Sequence, residues 1–137
     1  METIAIKKLM AGDRFCCKTV GIELLDAAPG YAKVKLDIEE RHLNALNTVQ
    51  GGCIFTLADL AIAAASNSHG TAAVLINASI SYIKAVSTGV LYAEAKEESL
   101  NPKLATYQVR VTDQTGDLVA SFQGTVYRKK ETLADFL

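Results

Sequence analysis

Residues 51–67 read GGCIFTLADLAIAAASN, and this stretch decides the fold. It is rich in alanine and leucine, the strongest helix formers. A glycine pair opens it and Gly70 follows as a stop. Its apolar residues do not keep to one stripe: Ile54, Phe55, Leu57, Leu60, Ile62 and Ala63 fall on every side of a helical wheel. A helix that is apolar all round must be buried all round. The segment is too short to span a bilayer and carries an aspartate, so a membrane span is excluded.

The enclosing layer is legible on both sides of this helix. Residues 18–26 and 31–38 read as two strands joined at Pro29-Gly30. In the second, Ala32, Val34, Leu36 and Ile38 alternate with Lys33, Lys35 and Asp37. Residues 39–50 keep neither period and read as an ordered loop. From residue 72 the period is two. Val74, Ile76, Ala78, Ile80 and Tyr82 share one face of a strand over residues 72–84, and Asn77, Ser79 and Ser81 share the other. Alternating runs at Leu91–Lys96, Tyr107–Thr112 and Leu118–Val126 follow, separated by Ser87-Thr88-Gly89, Asn101-Pro102 and a turn around Gly116. A short helical segment is expected over about residues 1–14 and a tail over about 131–137. Because a flat layer covers only one stripe of a helix, the sheet must curve. The expected fold is α+β, one domain over residues 1–137, with a long central helix wrapped by a curved antiparallel sheet. The polar face of strand 72–84 leaves surface for a partner subunit.

Charge and cysteine usage exclude several classes. The chain of 137 residues carries a net charge of -1 and no long basic run, so nucleic acid is not an expected partner. Arg128, Lys129 and Lys130 read as a solvated strand end. Cys16, Cys17 and Cys53 are odd in number and form no C-x-x-C, which points to a reducing compartment, the cytoplasm. His42 and His69 are too few for a zinc site and read as surface or loop anchors. The sequence calls for no metal and no cofactor.

One residue breaks the apolar helix. Asp59 lies mid-helix beside Ala58 and Leu60. Aspartate is a poor interior helix residue, and a buried charge is costly unless something pairs or uses it. Burial raises its pKa and suits it to act as general base or nucleophile. The plain alternative is a carboxylate paired with a buried cation or facing one wet spot. At the helix start, Gly51 and Gly52 allow close approach to unpaired N–H groups, which can hold an oxyanion. Gly51 and Asp59 are separated by roughly 12 Å of helix rise, too far to serve one carbon. Two antiparallel copies can bring the start of one helix to the middle of the other, so an active site using both straddles a dimer interface. Asn44 and Gln50 can position substrate or water, and Asn47 can serve as a left-handed turn residue. Tyr82, Tyr92 and Tyr107 read as strand packing.

The stretch His42–Asp59, HLNALNTVQGGCIFTLAD, resembles the PaaI-like (phenylacetyl-CoA thioesterase-like) hotdog family. That family shows N-x-x-G-x-x-H-G-G, four variable positions and an L-A-D-like triplet. Asn44, Gly51, Gly52, Leu57, Ala58 and Asp59 match in register, and ISYIKAV at residues 80–86 is similar to the family's third strand. The resemblance covers roughly residues 15–130. It implies an acyl-CoA thioesterase with the hotdog fold, built as a homodimer that pairs into a homotetramer. It implies Asp59 as nucleophile or base, the Gly51 N–H on the thioester oxygen across the interface, and Asn44 and Gln50 aligning the reactants. Gly52, Asn47, Leu57 and Phe55 are then expected to line the substrate. Two positions depart from the pattern: Asn47 stands for the usual glycine, and Gln50 for the usual histidine. Gln50 can hydrogen-bond but carries no proton near neutral pH. It therefore leaves open a non-catalytic acyl-CoA or lipid-binding module. A hydroxyacyl-thioester dehydratase ranks last, because no histidine stands in the helix register.

Overall fold

The computed structural model describes residues 2–137. Its elements, in chain order, are α1 (Thr3–Met10), a π-helical segment (Phe15–Val20), β1 (Glu23–Ala28), β2 (Tyr31–Asp37), a 3-10 turn (Glu40–His42) and α2 (Gly51–Asn67). Then follow β3 (Thr71–Tyr82), β4 (Val90–Leu100), β5 (Leu104–Asp113), β6 (Leu118–Thr132) and a last 3-10 turn (Leu133–Phe136). The strands form one six-stranded sheet in the order β1-β2-β4-β5-β6-β3, antiparallel throughout. α2 touches every strand of that sheet, which a flat layer would not permit.

The expectation of an enclosed helix is met where it faces the sheet, whereas the strip of Phe55, Thr56, Asp59 and Ala63 is only partly buried, so the helix is not covered on every side within one protomer. Leu57, Ala58, Leu60, Ala61, Ile62, Ala64 and Ala65 are each at most 1% exposed. Alanine keeps the helix thin where the sheet closes on it. The sheet does the same at Gly124, where an added Cβ would lie 2.6 Å from the Ile62 side chain. The far end of α2 is tied to β3 by Asn67. Its amide donates to the carbonyls of Ala63 and Ala73 and accepts the Ala73 N–H.

Three boundaries differ from the sequence reading. Residues 18–22 are not strand: Phe15–Val20 coils as a π-helix, and β1 begins at Glu23. The Asp13 carboxylate accepts the Cys16 N–H, and Gly21, at φ 89°, closes the segment by donating to the Cys16 carbonyl. β3 contains a bulge between Leu75 and Asn77. An extra residue switches faces, so Val74 and Ile76 point outward while Ala73 and Leu75 turn in. The single apolar face read over 74–82 is therefore two half-faces. Finally, β6 runs to Thr132, and Leu133 packs inside at 2% exposure, so the expected tail is ordered.

Candidate active site

The mouth of α2 is built by the loop before it. His42 anchors that loop: Nδ1 accepts the Glu39 N–H, so Nε2 carries the proton and donates to the Val20 carbonyl at 2.7 Å. Asn44 closes the next turn. Its carbonyl oxygen accepts the N–H groups of Leu46 and Thr48, and its amide donates to Thr48 Oγ1. Asn47 occupies the left-handed region at φ 60°, the only non-glycine among the described residues to do so. This is why a glycine or asparagine is wanted there. Gln50 is the N-cap, its Oε1 accepting the Cys53 N–H at 3.1 Å. Its amide nitrogen stays available as a donor.

The Gly51 and Gly52 N–H groups have no acceptor among the described residues, as expected of the first turn of a helix. They carry the positive end of the helix dipole. Gly51 lines a cleft of about 340 Å³ with Asn44, Ile54, Tyr82 and Lys84. Gly52 and Gln50 open instead on a cleft of about 740 Å³ bordered by Phe15, Val20, Arg41 and Cys53.

Asp59 lies two turns further on, in a third cleft of about 300 Å³ lined by Ile62, Ala63, Ser66, Ala73, Val74, Leu75 and Val126. It is partly buried, and no hydrogen bond or ion pair holds its carboxylate among the described residues. Burial raises its pKa above the ordinary carboxylate value, and the nearby Asp13 charge adds to the rise. Within one protomer the structure thus brings Asn44 and Gly51 together, but holds Asp59 apart from them.

The expected substrate-lining residues divide. Phe55 is partly buried and stacks edge-on against Phe122 at 5.0 Å. Leu57 is wholly buried. It turns into the sheet and offers no surface to a ligand, so a packing role replaces the substrate contact. Tyr82 departs from its reading as strand packing: it is 51% exposed, and its hydroxyl donates to the Gly51 carbonyl at 2.8 Å. No spacing in the sequence joins a strand end to a helix start 31 residues away.

Comparison with known proteins now decides the family. The Thioesterase superfamily model matches residues 46–120, which span the helix mouth, Asp59 and most of the sheet. The chain belongs to the thioesterase superfamily. A relative from Archaeoglobus fulgidus, assigned by name to the esterases, is 51% identical over 115 residues, covering 80% of this chain and 75% of its own. The acyl-coenzyme A thioesterase PaaI of Escherichia coli is 32% identical over 114 residues, covering 82% of this chain and 81% of its own. The solved structure of the E. coli PaaI protein superposes with a TM-score of 0.88 at 27% identity, covering 96% of this chain and 99% of that one. This thioesterase is PaaI-like and has the hotdog fold, as the residues around Asp59 implied. No helix among its described residues is long and apolar enough to cross a membrane.

Proposed function

We propose that this thioester hydrolase cleaves a fatty or aryl acyl-CoA to the free acid and CoA, at a site assembled from two protomers. The observation that carries the reading is the unpaired, partly buried carboxylate of Asp59 with its raised pKa. Such a group is a poor stabiliser and a good base. Asp59 activates water, or attacks the thioester carbon itself. The carbonyl oxygen gains charge and is held by the Gly51 N–H of the other protomer. The C–S bond then breaks and the thiolate of CoA leaves. If water attacked, the acid is already formed; if Asp59 attacked, a water hydrolyses the acyl–Asp59 anhydride to release the acid and restore the carboxylate. Asn44 and Gln50 align the reactants.

The topology supports a shared site. β3 stands at the edge of the sheet with only β6 beside it, and its exposed apolar residues Val74, Ile76 and Tyr82 give that edge something to bury. Antiparallel pairing of two such edges sets the first half of one β3 against the second half of the other. The first half lines the Asp59 cleft and the second half, through Tyr82, lines the Gly51 cleft. A twofold dimer therefore joins the groups that one chain keeps apart. Such dimers pair into tetramers. A solved structure from Streptococcus mutans, 25% identical with a TM-score of 0.78, holds acetyl-CoA, which supports a CoA thioester as substrate. Three free cysteines fit the cytoplasm, and residues 1–137 act as one hotdog domain.

One observation favours a second reading. Gln50 carries no titratable proton and its oxygen is engaged in the cap, as suits a module that binds acyl-CoA without turnover. Steady-state hydrolysis across a panel of fatty and aryl acyl-CoAs, with Asp59→Asn beside it, separates the two. Turnover abolished by Asp59→Asn supports the hydrolase, whereas tight binding without turnover in the unaltered protein supports the module.

A further inference from the structure

The contact between Tyr82 and the first turn of α2 carries more than packing. The phenol donates to the Gly51 carbonyl at 2.8 Å. A Cβ added to Gly51 would stand 3.1 Å from both Cζ and Oη of Tyr82, so the ring fills the space a side chain at position 51 would take. Within one protomer Tyr82 is 51% exposed, so packing inside the fold gives no reason for it to be tyrosine rather than another strand former. The Gly51 carbonyl and the Gly52 N–H belong to one peptide group. A donor on the carbonyl oxygen polarises that amide and makes its N–H a stronger donor. It also fixes the plane of that peptide and the direction of the Gly52 N–H. The Gly51 N–H, which lies in the preceding peptide, is restrained through the Gly51 Cα that the same contact holds in place.

We infer that Tyr82 is a positioning residue for the oxyanion-holding turn, acting through the Gly51–Gly52 peptide. The inference rests on the thioester-hydrolysis reading above and names a residue that the family motif around Asp59 does not contain. Tyr82 also lies on the half of β3 that an antiparallel edge pairing sets beside the partner's Asp59 cleft, so a shift of its ring is felt where the carbonyl is attacked. An interaction that strengthens only as charge develops on the oxygen acts on turnover rather than on substrate binding.

The test is Tyr82→Phe in the full-length protein, assayed with an acyl-CoA that the unaltered protein hydrolyses. The expected result is a fall in kcat of roughly two- to tenfold, with KM within about twofold and the thermal midpoint and oligomeric state unchanged. p-Aminophenylalanine at position 82 keeps an N–H donor at the same reach and restores kcat. The Gly52 amide proton, followed by NMR without substrate, shifts upfield in the Phe variant as its peptide loses polarisation. An unchanged kcat and amide resonance overturns the inference. So does a rise in KM alone, or a loss that follows unfolding of the Phe variant, because a hydroxyl at an exposed edge leaves folding intact if it only positions. Full turnover in Asp59→Asn would defeat the hydrolase reading separately, and the Gly52 resonance would still report on Tyr82.

Discussion

Asp59 and Asp113 are the same side chain in opposite surroundings. Asp113, at the end of β5, accepts from Lys84 Nζ, Thr115 Oγ1 and the N–H groups of Thr115 and Asp117. These donors, Lys84 first, hold its carboxyl far below the usual range. Asp59, in the middle of α2, has lost water without gaining a donor, and its pKa moves up. The turn at Asp113 uses its charge to fix backbone. The helix at Asp59 holds its charge in a state the fold does not reward, and such sites mark chemistry more often than structure.

The contrast can be broken most sharply by removing each charge in turn. Asp59→Asn is expected to lower kcat/KM by roughly 10²–10⁴-fold, while Asp113→Asn leaves it within about twofold, both read by acyl-CoA hydrolysis. Equal losses would mean that the surroundings do not decide the role.

The pH dependence sharpens the same comparison. As the base in the free enzyme, Asp59 must be ionised, so the acid limb of kcat/KM falls at a pH above the ordinary carboxylate range. A limb at or below that range would mean that the raised carboxyl of Asp59 is not the base.

Stability gives the smaller effects, with opposite signs. Asp59 binds its proton more tightly folded than unfolded. Its contribution to stability is therefore full below the unfolded carboxylate range and is lost as pH rises through the higher folded value. Asp59→Asn is expected to stabilise the protein at neutral pH by roughly 0.5–2 kcal/mol, and the gain shrinks in acid. Asp113 runs the other way: its contribution is present above the unfolded value and is lost as pH falls toward the depressed folded one. Asp113→Asn then lowers the thermal midpoint slightly at neutral pH, and the difference closes in acid. Melting curves of both variants from pH 3 to 8 check the two signs together.

The helix, the glycine pair and Asp59 were legible because they rest on local chemistry. Seventeen residues with apolar atoms on all sides admit one kind of environment, and Asp59 is the only charge among them. The π-helix was not legible in this way. Cys16-Cys17-Lys18-Thr19-Val20 has a strand-like ring to it, and only the bracket of Asp13 and Gly21 marks a helical cap and a left-handed close. The bulge at Ile76 left no trace at all, since the alternation from Val74 to Tyr82 continues through it and only pairing with β6 reveals the extra residue. The resemblance implies Leu57 as a substrate-lining residue, yet it stands two residues before Asp59, about 200° round the helix, and faces the sheet. Tyr82 required a tertiary contact.

The claim that one site is drawn from two protomers is tested most directly by subunit complementation. Gly51→Pro removes the N–H at a helix position whose backbone tolerates proline, with the exposed Tyr82 ring shifting to admit the added carbons, and Gln50, at φ −63° and ψ 135°, already has the extended backbone that precedes one. Each of Asp59→Asn and Gly51→Pro alone should be nearly inactive. Refolded together in equal amounts, half of the twofold dimers are mixed, and each mixed dimer holds one intact site. About a quarter of the unaltered activity should therefore return. If mixed dimers form and no activity returns, Asp59 and Gly51 do not act across the interface.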